Sequence, residues 1–189
     1  MPSENGTVNY EMIKAMQGHT DIYSIEEEKI IDDFSKLIVS TKRGLWGNPT
    51  KSIRDHTNGK LCELVVSKML EPLGCSHIDM TNKPNWVDLK LPPFKIHVKS
   101  WEKIPSNKYQ GSVTFQHEVG RKDDLFKEGH PGCGTEKDII ICCEVTRYTR
   151  TVVVKSIESW PVVKPLCKFT DGVDLPYYKG KKLFYHPQL

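Results

Sequence analysis

The clearest alternation in the chain falls at 94–99. Phe94, Ile96 and Val98 alternate with Lys95, His97 and Lys99, the period of two that marks a half-buried strand. Residues 85–91 lie just before it, across Pro92 and Pro93, so 85–101 is predicted to form two short strands joined by a proline turn. The alternation puts His97 and Lys99 on one face of the second strand. Asp88, close to the turn, is expected to lie beside them.

Helical periods surround this hairpin. Ser24-Ile25-Glu26-Glu27 has the form of a capping box. Ile30, Ile31, Phe34, Leu37 and Ile38 follow at helical spacing, which predicts a helix to about residue 40. Its acidic first turn suits the helix dipole. Residues 41–57 read as a connector, because Gly44, Gly47 and Pro49 break regularity. Asn58 then reads as the cap of a second helix running to about Glu71, stopped by Pro72 and Gly74. Leu61, Cys62, Leu64, Val65, Val66, Met69 and Leu70 give that helix a wide apolar arc, so it is expected to be mostly buried. Glu63 falls at the edge of the narrow polar face, beside Ser67 and near Lys60. The position suits a carboxylate aimed into a cleft and equally a solvated glutamate.

Beyond the hairpin, 112–119 alternates and predicts a third strand, with Val113, Phe115, His117 and Val119 on one face. Thr114, Gln116 and Glu118 share the other, and Gln116 reaches the candidate chemistry where that polar face looks towards Lys99. Residues 121–128 are charged and read as helical. The continuous apolar run 138–145 is the pattern of a strand buried on both faces. A further strand, 151–157, pairs with it across the polar turn 146–150. From Trp160 the prolines 161, 165, 176 and 187 mark a C-terminal extension with little helix. Tyr177-Tyr178 and Leu183-Phe184-Tyr185 flank Lys179-Gly180-Lys181-Lys182, a predicted hairpin with a basic tip. Residues 1–20 read as a flexible arm or as a poorly marked helix.

Composition narrows the class. With 189 residues, 38% hydrophobic and 27% charged, the chain reads as one soluble domain with room for a core. A net charge of +3 permits nucleic-acid binding without demanding it. No run of about 18 apolar residues is present to span a membrane. The first twenty residues lack a basic start and an apolar core, so an intracellular, non-secreted protein is expected. In that setting the six cysteines are expected as reduced thiols. There is no Cys-x-x-Cys pair, and the neighbours Cys142 and Cys143 are expected to point to opposite faces of a strand.

Basic residues mark where a phosphate backbone would be met. Lys42, Arg43, Lys51 and Arg54, with Trp46 among them, fit a loop touching phosphates. Lys179, Lys181 and Lys182 fit a second contact at the predicted C-terminal tip.

The segment 73–101 resembles the core of the PD-(D/E)xK nuclease superfamily, the restriction-endonuclease-like proteins. In that family an acidic helix and a strand precede an Asp at a turn and a strand bearing Asp/Glu-x-Lys. Here Glu63 stands on the helix, 76–80 is the intervening strand and Asp88 is the Asp. His97-Val98-Lys99-Ser100 occupies the last motif. The chain departs from the family at His97, where a carboxylate is usual. The resemblance implies an α/β fold with a mixed central β-sheet flanked by helices, and a divalent-metal-dependent DNA endonuclease. It implies Mg2+ or Mn2+ held by Asp88, Glu63, the Val98 carbonyl and His97. Lys99 would act at the attacking water or the phosphate, and Gln116 nearby. It also implies double-stranded or branched DNA as partner, and action as a homodimer. The alternative is a nuclease-fold module with a degraded centre that binds nucleic acid without cutting it. A second register, Asp79 with Asp88-Leu89-Lys90, spells the same motif and leaves Lys99 without a role.

Overall fold

Ser24 and Glu27 close the capping box reciprocally. The Ser24 N–H donates to Glu27 Oε2 at 2.8 Å and the Glu27 N–H to Ser24 Oγ at 3.0 Å. They start helix α2 (Ile25–Thr41) in the computed structural model, which describes residues 7–41, 49–81, 87–107, 110–118, 134–169 and 180–187. Before it come a short helix, α1 (Tyr10–Lys14), capped by Asn9, and strand β1 (Thr20–Ile22). Within the described part of residues 1–20, the poorly marked helix is found at 10–14. Ile13 is fully buried, and Lys14 Nζ sits 2.6 Å from Glu158. α2 turns Ile31 and Ile38 inward but leaves Ile30 and Leu37 exposed, because it packs along helix α3 (Pro49–Leu70).

α3 begins nine residues earlier than its predicted cap at Asn58. Proline at the first helical position needs no N–H partner and has its φ preset, so Pro49 opens the helix. The stretch 49–57 is therefore helix and not connector. Asn58 serves as a buried crosslink, donating to Glu102 Oε2 at 2.9 Å and accepting from Arg147 at 3.1 Å. The end is as expected: a 3-10 turn (Glu71–Leu73) and Gly74 at φ 87°, a left-handed conformation that glycine takes without strain.

The hairpin forms as β2 (Leu89–Leu91) and β3 (Phe94–Glu102). Next come β4 (Val113–Glu118), β5 (Asp138–Thr146) and β6 (Thr151–Ser159). A short helix α4 (Trp160–Val163) and strands β7 (Lys168–Phe169) and β8 (Gly180–Tyr185) follow among the described residues. The main sheet has five strands in the order β1-β6-β5-β3-β2, with β3 and β5 parallel and the other pairs antiparallel. The chain is thus a mixed α/β protein. A second sheet of three strands has the order β4-β8-β7.

β5 is buried along almost its whole length, as its apolar run predicts. Cys143 faces the α3 side of the sheet with Cys62 and Val65. Cys142 faces the opposite side with Phe115, Trp160 and Tyr185. Cys62, Cys75, Cys142, Cys143 and Cys167 are free thiols.

Three further expectations need correcting. Residues 76–80 are not a strand. Ser76 makes one rung beside β2, its N–H donating to the Lys90 carbonyl at 2.9 Å and its Oγ accepting the Lys90 N–H at 2.8 Å. Asp79 then bends the chain by accepting the Thr81 N–H at 2.8 Å. Residues 180–185 are not one arm of a local hairpin with a basic tip. They form β8, between β4 and β7, so Lys181 and Lys182 lie within a strand. The face of β4 that meets Lys99 is the apolar one, with the Lys99 Nζ 5.3 Å from the centre of the Phe115 ring. The predicted helix at 121–128, and Lys42, Arg43, Trp46, Cys133 and Lys179, lie outside the described residues. No helix among the described residues is long and apolar enough to cross a membrane.

Candidate active site

Asp88 stands one residue before β2 and carries the hairpin one step further. Its N–H donates to the Ile96 carbonyl at 3.1 Å, and its Oδ2 accepts the Val98 N–H at 2.7 Å. The carboxylate thus replaces the next main-chain rung. Along a strand a residue's N–H and C=O point to the same side, so the Val98 carbonyl opens at the edge where Asp88 sits. Extending the pairing of Leu89 with Ile96 by one residue sets Asp88 opposite His97.

Glu63 comes from α3, which packs against β3. It is 7% exposed, and its carboxylate accepts from Lys60 Nζ at 2.6 Å. Burial pushes the Glu63 carboxyl up to about 8, and the negative charge of Asp88 adds to the effect. Lys60 and Lys99 pull the other way without prevailing. Asp88 and Lys99 therefore both act electrostatically on Glu63, although the three come from a turn, a strand and a helix.

His97 is held from the other neighbour of β3. Its Nε2 lies 2.7 Å from Oδ1 of Asp138, the first residue of β5. Asp138 Oδ2 accepts from the Thr135 N–H at 2.9 Å and from Thr135 Oγ1 at 3.1 Å. Burial would raise the Asp138 carboxyl, but the bonds from His97 and Thr135 outweigh it and hold the group below its ordinary range. Asp138 is absent from the sequence-derived site. The signal that could have found it is a carboxylate opening an otherwise apolar strand, since a buried carboxylate needs donors.

The basic candidates divide. Arg54 lies on α3 in a two-pronged pair with Glu102, at 2.7 and 2.5 Å. Its guanidinium is engaged in joining α3 to β3. Lys51 is exposed on α3 and also has a partner. Gln116 lies in β4 opposite Lys182 in β8, their side chains outside those described.

Among the described residues no three His, Cys, Asp or Glu side chains gather as a metal-ligand cluster. The donor set still fits a hard cation. Magnesium commonly takes one or two carboxylates and keeps several waters, and Glu63 and Asp88 are two carboxylates of which the buried one is raised by its neighbour. No family model, curated protein or solved structure matches the chain.

Proposed function

We propose that this protein is a divalent-metal-dependent DNA endonuclease, as its likeness to the PD-(D/E)xK superfamily implies. The observation that carries the reading is Glu63: a buried carboxyl raised by burial and by Asp88, with the charge of Lys99 also felt there. Holding a buried carboxyl within reach of a second carboxylate's charge is unfavourable for folding alone. It suits a site that takes a cation and then a phosphate.

In this reading Glu63, Asp88 and the Val98 carbonyl hold Mg2+ or Mn2+. When bound, such an ion polarises the scissile phosphate and makes water a stronger nucleophile. The chain's own residues do the rest. Asp88, tied to the Val98 N–H, keeps its orientation without the ion. Lys99 supplies positive charge where the phosphate gains negative charge. His97, in place of the usual carboxylate, orients the attacking water. Hydrolysis leaves a 3′-hydroxyl and a 5′-phosphate.

The second reading is a nuclease-like module that binds nucleic acid without cutting it. It is favoured by the imidazole at 97, already bonded to Asp138, and by the lack of a three-ligand cluster among the described residues. Incubating the purified protein with supercoiled, linear and branched DNA, and with RNA, in Mg2+, Mn2+ or EDTA separates the two. Metal-dependent cleavage of DNA is expected. Undiminished cutting in EDTA overturns the metal mechanism, and binding without cutting in every metal favours the second reading.

A further inference from the structure

Asp138 is fully buried at the start of the most apolar strand of the sheet, and the three donors to its carboxylate come from Thr135 and His97. The roles of its two oxygens are distinct. Oδ2 takes the Thr135 main-chain N–H, which can only donate, and Oδ1 faces the ring. An ionised carboxylate can only accept. With a neutral imidazole, Oδ1 therefore draws the ring proton to Nε2 and leaves the lone pair on Nδ1. Among the described residues Nε2 is the ring nitrogen with a hydrogen-bond partner.

We propose that Asp138 is a positioning residue of the active site, which fixes His97 as the Nε2–H tautomer so that Nδ1 accepts a hydrogen bond from the attacking water. This rests on the nuclease reading above. Continued by one residue, the β2–β3 pairing sets His97 opposite Asp88, and the strand's alternation puts it on the face of Lys99, where such a water is needed. The water oxygen forms the new bond to phosphorus as the bond from phosphorus to O3′ breaks. The water's proton passes to solvent, and O3′ takes one from solvent.

Replacing Asp138 by Asn makes the proposal sharp. The Thr135 N–H still needs an acceptor, so the amide oxygen must occupy the Oδ2 position and the amide NH2 must face Nε2. That group donates, so Nε2 becomes the acceptor and the ring proton moves to Nδ1, which then repels a donating water. In metal-free protein carrying 15N-labelled histidine, the neutral His97 ring is expected as Nε2–H in the wild type. In Asp138→Asn it is expected as Nδ1–H. The kcat for DNA cleavage falls about 100-fold or more, with KM within about twofold. A wild-type Nδ1–H ring in a protein that cuts DNA overturns the dyad alone. So does wild-type kcat in an Asp138→Asn protein whose tautomer has switched. A wild-type Nε2–H ring in a protein that cuts no DNA under any divalent metal overturns the nuclease reading, and the water-positioning role with it. The wild-type spectrum needs no variant. Should Asp138→Asn misfold, Thr135→Val, which loosens Asp138 but keeps its charge, is expected to lower kcat by a smaller factor. Unchanged kcat there overturns the coupling.

Discussion

Two buried carboxyls flank strand β3, and they are shifted in opposite directions. Asp138, on the β5 side, is fully buried yet held below its ordinary range, because three donors surround it. Glu63, on the α3 side, is also buried and is pushed up to about 8, because Lys60 and Lys99 together do not offset burial and Asp88. Burial is the largest upward influence on both. What sets them apart beyond it is the number of donors against the number of like charges. Asp138 is electrostatically complete within the protein. Glu63 is not, and a bound cation is what would complete it.

Removing charge from the incomplete side gives the largest expected effect. Asp88→Asn keeps an acceptor for the Val98 N–H, so the fold should hold while the site loses a charge. Lys99→Ala removes an amine that rests on Phe115. Each is expected to lower DNA cleavage by about 10²–10³-fold or more, with a melting temperature close to wild type. Gel-based cleavage rates beside thermal melts check this. Wild-type turnover in either variant removes that residue from the mechanism. Lys99→Ala should still bind DNA, since one lysine is a small part of a phosphate footprint.

Stability should separate the two carboxyls by sign. Asp138→Ala strands the Thr135 N–H and His97 in a buried site, at a cost of about 3–5 kcal/mol. Glu63→Gln removes a carboxylate that the metal-free fold holds at a disadvantage, and is expected to stabilise near pH 8. Urea denaturation of both variants in EDTA reads the difference. Destabilisation by both would mean that Lys60 satisfies Glu63 fully and that the contrast is false.

The same contrast fixes a pH dependence. The Glu63 carboxyl rises from 4.5 to about 8 on folding. Between those values the native state keeps a proton that the unfolded chain has lost. Its contribution is therefore complete below 4.5 and is lost as pH rises through about 8, a slope worth a few kcal/mol in total, on the order of 1.4 per unit. Asp138 runs the other way. Its contribution is present above the ordinary value of 3.8 and is lost as pH falls through its lowered value. Metal-free stability measured from about pH 4.5 to 8.5 should decline in the wild type, and the decline should flatten in Glu63→Gln. An unchanged slope in that variant would show that Glu63 is not the group responsible.

What the sequence made legible was local. The β2–β3 alternation, the capping box at Ser24 and Glu27, the doubly buried β5 and the opposed Cys142 and Cys143 follow from periods over a few residues. What it hid was decided by partners far along the chain. Asn58 looks like a cap until Glu102 and Arg147 are seen beside it. Arg54 looks like a phosphate contact until Glu102 claims it. β8 pairs with β4, and so the basic run 181–182 lies in a strand and not at a hairpin tip. The same holds within the site. Glu63 was visible from the narrow polar face of its helix, but its coupling to Asp88 needs the packing of α3 on β3. Asp138 is separated from His97 by 41 residues, and only the parallel pairing of β3 with β5 brings them together.

The smallest expected effect tests which lysine belongs to the site. Lys90 lies on β2, exposed, directly across from Lys95. Asp79, its partner acid in the alternative register, has its Oδ1 engaged by the Thr81 N–H in a turn. Lys99, in contrast, is half-buried, and its charge is felt at Glu63. Lys90→Ala should therefore leave kcat within about twofold and stability within about 0.5 kcal/mol. Any change in stability should be a slight gain, because two like charges stand directly opposite across the strands. Where Lys90 touches a phosphate, the salt dependence of DNA binding should weaken by about one unit of slope. Cleavage and binding by Lys90→Ala and Lys99→Ala are to be compared side by side. Loss of cleavage in Lys90→Ala with turnover retained in Lys99→Ala would move the site to Asp79, Asp88 and Lys90. The contrast between Glu63 and Asp138 would then concern folding alone.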